Sequence, residues 1–384
     1  MLRLFRSAVM AVSVFFSSSA SASAVWSRAD AQQLVEYVGQ IATEGLDPAD
    51  YRSDQLQADL ASPSEGWQAR MTDAFLHLAA DLRQGHVRNR AGLAWNIIGG
   101  MLSEEERLQL LDEALSNHRV RATLEGLAPQ NREYRQLKAA LAATSPNDRA
   151  ALLRLRANLE RWRWMPRELG SRYLLVNVPA FTVTLMENGA AVVRRRVIVG
   201  KPGTPTPQFS ATVTGVVFNP WWDVPDSIVR ESVGKIVRSQ PALARQRGYV
   251  VQGGRYRQRP GPLNALGQAK LVMANPYRVY LHDTPSRKLF DESVRAFSHG
   301  CIRTQDILGL AQDLLDGTPG WDRTEIDRAV ANGATVQADL NRPIPIYVAY
   351  FTAMVEQDGS VSAFPDIYKR DELIVSQLVD REPS

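Results

Sequence analysis

Phe181-Thr182-Val183-Thr184-Leu185-Met186-Glu187-Asn188-Gly189-Ala190-Ala191-Val192-Val193 is the stretch on which this 384-residue chain divides. Phe181, Val183 and Leu185 alternate with threonines, the two-residue period of a strand with one buried face. Asn188-Gly189 then supplies two residues that tolerate a positive φ, as a tight hairpin turn requires. A valine-rich second strand follows and ends at Gly200. From about Tyr173, therefore, the chain reads as antiparallel sheet.

Upstream the period is different. Met71, Ala74, Phe75, Leu78, Ala79 and Leu82 recur at three- and four-residue steps, which places them on one helix face. Ser103 with Glu106 predicts a capping box opening a helix that carries Leu108, Leu111 and Leu115. A further helix with Leu152, Leu155, Leu159 and Trp162 must end near Pro166, whose ring and missing N–H break a continuing helix. His77 falls off its apolar stripe, and His86 and His118 have no ligand-like neighbours at metal spacing, so no metal site is expected. From Ser27 to about Trp164 the chain reads as an all-helical unit without a chemical cluster, a scaffold rather than a catalyst.

Downstream, Pro202, Pro205 and Pro207 stiffen a loop before a strand over Ala211 to Phe218. A helical stretch from about Asp226 to Ser239, with glycines at 248, 253 and 254, marks an insertion over about residues 222–260. Its length beside other strands reads as a lid over a site rather than an ornamental surface loop. Strand signals return at Lys270 to Met273 and at Arg278 to His282, which puts Tyr280 and His282 on one face. Thr304 is placed to cap a helix with Ile307, Leu308, Ala311, Leu314 and Leu315. Strands at Thr335 to Ala338 and Ile344 to Val355 close the chain. The fold class is α+β: a helical N-terminal unit, then a β-rich domain with a helical capping insertion.

Residues 1–24 read as a secretory signal: Arg3 and Arg6, a short apolar run from Ala8 to Phe16, then Ala22-Ser23-Ala24 for cleavage. Export to the periplasm is expected, with the mature chain beginning near Val25. The run is shorter than the ~20 apolar residues that span a bilayer, so no stable membrane span is expected once the signal is removed. The net charge is +4. Losing Arg3 and Arg6 would lower it further, and no block of like charge occurs, so nucleic acid is set aside as a partner. The 45% apolar share suffices for two cores.

An exported chain with one cysteine has no intramolecular disulfide, so the thiol of Cys301 is either inert or reactive. It lies in Ser298-His299-Gly300-Cys301-Ile302-Arg303. A thiolate is the nucleophilic form, and an imidazole nearby helps to supply it. His282 is one candidate base; His299, two residues before Cys301, is the other. Gly300 lets backbone approach a substrate, so the amides of Gly300, Cys301 or Ile302 are candidate oxyanion donors. Ser298 offers a hydroxyl that would assist.

The run Val279-Tyr280-Leu281-His282-Asp283-Thr284-Pro285, followed by Arg295-Ala296-Phe297-Ser298-His299-Gly300-Cys301-Ile302-Arg303, resembles the active-site signature of the YkuD-type L,D-transpeptidases. The resemblance is closest to their YcbB-like branch, at Asn158 to Trp164, Val199-Gly200-Lys201-Pro202, Pro260-Gly261-Pro262, Asn264-Ala265-Leu266-Gly267 and Asp366-Ile367-Tyr368. It lacks the separate peptidoglycan-binding module of longer relatives. The resemblance implies a cysteine acyltransferase that works without metal or organic cofactor. Its donor would be a peptidoglycan tetrapeptide stem, D-alanine would leave from a thioester-forming step, and an amine of a second stem would close a 3→3 cross-link. Water in place of that amine would make an L,D-carboxypeptidase, and carbapenems would acylate the same cysteine.

Residue by residue, the resemblance assigns Cys301 as nucleophile, His282 as base, Gly300 and Cys301 as oxyanion positions and Tyr280 as a pocket contributor. Ser298 and His299 belong to the motif. Arg303 either holds a substrate carboxylate or ties the loop to the sheet. Trp221 and Trp222, at the lid entrance, either line the donor site or are core aromatics. The implied organisation is a signal at 1–24, a helical scaffold over 25–165, a catalytic domain over 166–345 with the lid insertion, and a C-terminal strand and tail over 346–384. A cysteine endopeptidase lacks a papain-like Cys-Trp context here. A non-catalytic wall-binding scaffold would leave Cys301 without a task.

Overall fold

The computed structural model describes residues 25–356 and 358–379. The expected secretory signal lies outside the described residues. Seven helices precede the first long strand: Arg28–Gly39, Ser53–Ala61, Trp67–Gln84, Glu104–Ser116, Val120–Leu127, Arg132–Ala143 and Arg149–Trp164. The apolar stripe from Met71 to Leu82 is buried along its length. The capping box is present, with Ser103 Oγ accepting from the Glu106 amide at 3.1 Å and Glu106 accepting from the Ser103 amide at 2.7 Å. Leu108 is the exception on its helix and stays exposed.

The region is not wholly helical. Trp95–Asn96 forms a short strand, β1, that joins the sheet of the second half. The other strands are β2 (Arg172–Asn177), β3 (Thr182–Glu187), β4 (Ala190–Gly200), β5 (Gln208–Phe218), β6 (Trp222–Asp223), β7 (Tyr249–Gln252), β8 (Arg255–Gln258), β9 (Ala269–Met273), β10 (Leu281–His282), β11 (Ala296–Ser298), β12 (Ile302–Thr304), β13 (Val336–Ala349), β14 (Ala353–Val355) and β15 (Val361–Ala363). The large sheet runs β1-β5-β13-β2-β3-β4-β12-β10-β9, and β9 also pairs with β5. The sheet therefore closes on itself, and closure removes the unpaired edges that an open sheet must protect. The turn between β3 and β4 is as expected, with φ of 49° at Asn188 and 79° at Gly189.

Several sequence expectations are corrected. The strand expected over Thr335 to Ala338 and the first part of the one expected over Ile344 to Val355 are one, β13, whose pairing with β5 shifts register between Asp339 and Ile344, while Ala353–Val355 is the separate β14; such an irregularity hides the strand from a strict two-residue period. The strand expected over Arg278 to His282 shortens to two residues, because Arg278 takes φ 54° and Asn275 bonds to both the amide and the carbonyl of Val279. The helix Ile307–Leu315 is capped by Asp306, which accepts from the Gly309 amide; Thr304 is buried in β12 instead.

The two halves are joined by Asn158 to Trp164, the end of the last scaffold helix, and all seven residues are buried. Asn158 accepts from the Thr352 amide and donates to its hydroxyl. Arg161 reaches Asp371 at 2.6 Å, and Arg163 pairs with Glu160 at 2.6 Å. Trp162 stacks on Phe351 and Trp164 meets Trp95 edge to face. Buried charge is tolerated when it is paired and hydrogen-bonded, and here the pairs fix how the helices seat on the barrel.

Candidate active site

His282 sits on β10 between two neighbours in register: Lys270 on antiparallel β9 and Arg303 on parallel β12. Directly paired residues project to one face of a sheet, so the three form a row. The alternate positions Leu271, Leu281 and Ile302 point into the core and are fully buried. Cys301 immediately precedes β12; its thiol donates to the Arg278 carbonyl at 3.8 Å and feels the charges of Arg303 and Lys270. The Ile302 amide donates to the Tyr280 carbonyl at 2.9 Å, which ties the cysteine loop to the segment leading into His282.

His282 is buried, and its Nδ1 lies 2.5 Å from the Asp283 carbonyl. A carbonyl only accepts, so Nδ1 carries the proton and Nε2 is left as the acceptor. Burial, with Arg303 and Lys270 adding positive charge, pushes the imidazole down to about 3. Burial likewise raises the Cys301 thiol, opposed by the Tyr280 amide and by the charges of Arg303 and Lys270. Thiol and imidazole thus both rest neutral.

His299 does not point to the cysteine. Its Nε2 meets Glu231 Oε2 of the insertion at 2.8 Å, a contact between the cysteine loop and the lid. Ser298 also has a different task from the one expected. Its buried hydroxyl donates to the Cys301 carbonyl at 2.5 Å and accepts from the Gly300 amide at 3.0 Å. The Gly300 amide is therefore already engaged, as is that of Ile302, and Cys301 is the remaining candidate among the three for an oxyanion. Gly300 serves conformation instead, with φ 112°, a region that a side chain disfavours.

Thr206, which sequence reasoning did not single out, and Tyr368, to which it gave no task, hold this loop. Thr206 Oγ1 accepts from the Gly200 amide and donates to the Gly300 carbonyl, both at 2.9 Å. Tyr368 donates to the Gly200 carbonyl at 2.5 Å and accepts from the Thr206 amide. Tyr350 in turn donates to Asp366 at 2.5 Å, so the late Asp366 to Tyr368 motif braces the loop before β5. Lys270 was read only as a strand residue.

The insertion carries helical turns over residues 226–246 and a small β6-β8-β7 sheet that its glycines had masked. Asn264 donates to the carbonyls of Pro220 and Arg259, pinning the two ends of the insertion together. A Cβ on Gly267 would lie 2.4 Å from Asp283 Oδ2, so glycine is required beside the residue after His282. Trp221 and Trp222 are both half-buried, which corrects the alternative of a core aromatic; Arg257 lies over Trp221 at 4.7 Å. Tyr280 is half-buried beneath the Lys270 ammonium at 4.9 Å. Arg303 makes no ion pair among the described residues.

The reading of the scaffold histidines also changes. His77, Asp81 and His86 each bring one ligand atom within 4.8 Å of the others. His86 lies past the helix end at Gly85, so no helical spacing announced it. Asp81 is buried and already accepts from Tyr51 at 2.9 Å and Arg88 at 2.6 Å, and these partners offset its charge.

Residues 171–321 match the family model described as the L,D-transpeptidase catalytic domain, YkuD, and residues 12–141 match a scaffold domain. Most of the barrel's strands thus fall within a match to the YkuD L,D-transpeptidase catalytic domain. A curated relative from Haemophilus influenzae named "Putative L,D-transpeptidase" is 29% identical over 294 residues, covering 71% of this chain and 59% of its own. The chain thus spans less than two thirds of that relative. Among solved structures, an L,D-transpeptidase from Mycobacterium smegmatis aligns at 17% identity over 47% of this chain and 58% of its own, with a TM-score of 0.25. L,D-transpeptidase 3 from Mycobacterium tuberculosis, in complex with a faropenem-derived adduct, aligns at 16% over 46% and 60%, with a TM-score of 0.24.

Proposed function

We propose that this chain is a periplasmic L,D-transpeptidase that builds 3→3 peptidoglycan cross-links through Cys301. The observation that carries the reading is the row on β9, β10 and β12, in which the Asp283 carbonyl fixes the tautomer of His282 and the strand next to it is entered from Cys301. Nε2 takes the Cys301 proton as Sγ attacks the carbonyl of the third stem residue. The Cys301 amide donates to the oxyanion so formed. The tetrahedral centre collapses, His282 returns the proton to the departing nitrogen, D-alanine leaves, and a thioester remains. An amine of a second stem attacks that thioester and gives its proton to His282; the C–S bond breaks as the amide forms, and His282 returns the proton to Sγ.

The other assignments follow from position. Arg303, on the strand entered from Cys301, binds a donor carboxylate. Tyr280 and Trp222 line the cleft from the strand side and the insertion side, and His299 holds the lid through Glu231. Incubation with disaccharide tetrapeptide, read by mass spectrometry, should give a dimer lacking one D-alanine, and Cys301→Ala should give neither dimer nor free D-alanine. A carbapenem should add once to the wild type and not to that variant. Release of D-alanine without dimer would assign the carboxypeptidase instead; neither product would overturn the reading.

A further inference from the structure

Two cations beside the nucleophile have no acid to neutralise them. Lys270 and Arg303 flank His282 in register and are half-buried, yet among the described residues neither makes an ion pair. Lys270 meets only the face of Tyr280. Asp223 influences Lys270, but its carboxylate is held by Arg257 at 2.7 Å. Buried and half-buried cations elsewhere find oxygen partners: Arg161 with Asp371, Arg163 with Glu160, Arg370 with the Gln208 side chain and Arg167 with backbone carbonyls. Two like charges left unmatched in one cleft repel each other and lose hydration. Such a row is complementary to an anion that arrives with the substrate.

We propose that Lys270 is a specificity residue that binds the terminal carboxylate of the D-amino acid leaving the donor stem. The inference rests on the transpeptidase reading. Across the sheet the order is Lys270, His282, then Arg303 with Cys301. The departing nitrogen is bonded to the carbon that Sγ attacks and takes its proton from the same Nε2, so the leaving group lies against the His282 ring. Lys270 is the neighbour of His282 in register on the same face, and its charge also reaches Cys301, so it stands within reach of that leaving group. The terminal carboxylate is two bonds from the departing nitrogen, so a cation there selects donors that end one residue after the scissile bond. Neutralising the row also removes part of the positive field that weakens His282 as a base, so the base strengthens when a proper donor binds.

The test uses the full chain carrying Cys301→Ala, so that binding is read without turnover. Calorimetry compares a tetrapeptide stem ending in D-alanine with the same stem as its C-terminal amide. The acid should bind about 10-fold or more tighter than the amide, as expected for a charge-assisted contact. Adding Lys270→Met should bring that ratio close to one, and Lys270→Arg should restore most of it. In the background with Cys301 intact, iodoacetamide labelling of Lys270→Met reads the competing role. A large fall in labelling with an unchanged acid-to-amide ratio would mean that Lys270 serves the thiolate, and would overturn the proposal. Equal affinity for acid and amide in the Lys270 protein would also overturn it. A preserved ratio with no D-alanine release by the wild type would refute the transpeptidase reading alone, and binding of neither stem would refute both.

Discussion

Thr206→Val keeps the side chain's volume and removes one hydroxyl, which makes it a direct measure of how the cysteine loop is held. Thr206 is fully buried, and its Oγ1 serves the Gly200 amide and the Gly300 carbonyl at 2.9 Å each. Both glycines are buried, so valine would leave a donor and an acceptor without partners. An unsatisfied buried group costs about 1–3 kcal/mol, so the pair should cost roughly 2–5 kcal/mol. That is a large part of the ~5–15 kcal/mol by which a domain is stable. Urea unfolding followed by circular dichroism reads the loss, and iodoacetamide labelling of Cys301 reads the loop. Thr206→Ser retains the hydroxyl and should lose only about 1 kcal/mol, the worth of a buried methyl. A valine variant that unfolds within ~0.5 kcal/mol of wild type and labels at the same rate would refute the assignment.

Two further outcomes concern charge. Because His282 stays neutral above about 3 and the thiol is raised by burial, no imidazolium is present at neutral pH to hold a thiolate. Labelling of Cys301 should therefore climb steadily as pH rises from 6 to 8, about tenfold per unit; a flat rate from pH 5 upward would reveal an ion pair instead. The His299 contact with Glu231 is partly exposed, so it should be worth only ~0.2–1 kcal/mol. Glu231→Gln should speed hydrogen exchange of residues 226–239 by roughly 1.5- to 5-fold, and unchanged exchange there would show that the contact does not hold the lid.

Much of the architecture was legible because it is written at short range. The Met71 to Leu82 stripe, the Ser103 cap and the Asn188-Gly189 turn each depend on residues within a few positions of one another, and each stands as read. The thiol and its histidine were legible as chemistry, since few residue types do that work. What could not be read came from pairing at long range. The β5–β9 closure joins segments about fifty residues apart, and the shift in β13 exists only against its partner. Lys270 gains meaning only when β9 lies beside β10.

The sequence by itself determined a helical half, a strand-rich half and a single thiol, because helix period, turn chemistry and residue type are local properties. Only the tertiary structure decided which groups surround that sulfur. It turned Ser298 into a brace and His299 into a link to the lid, and engaged the Gly300 amide. It also set an unpartnered lysine beside His282. Those outcomes depend on backbone register and on the competition of buried groups for hydrogen bonds, which no stretch of chain settles before its neighbours are in place.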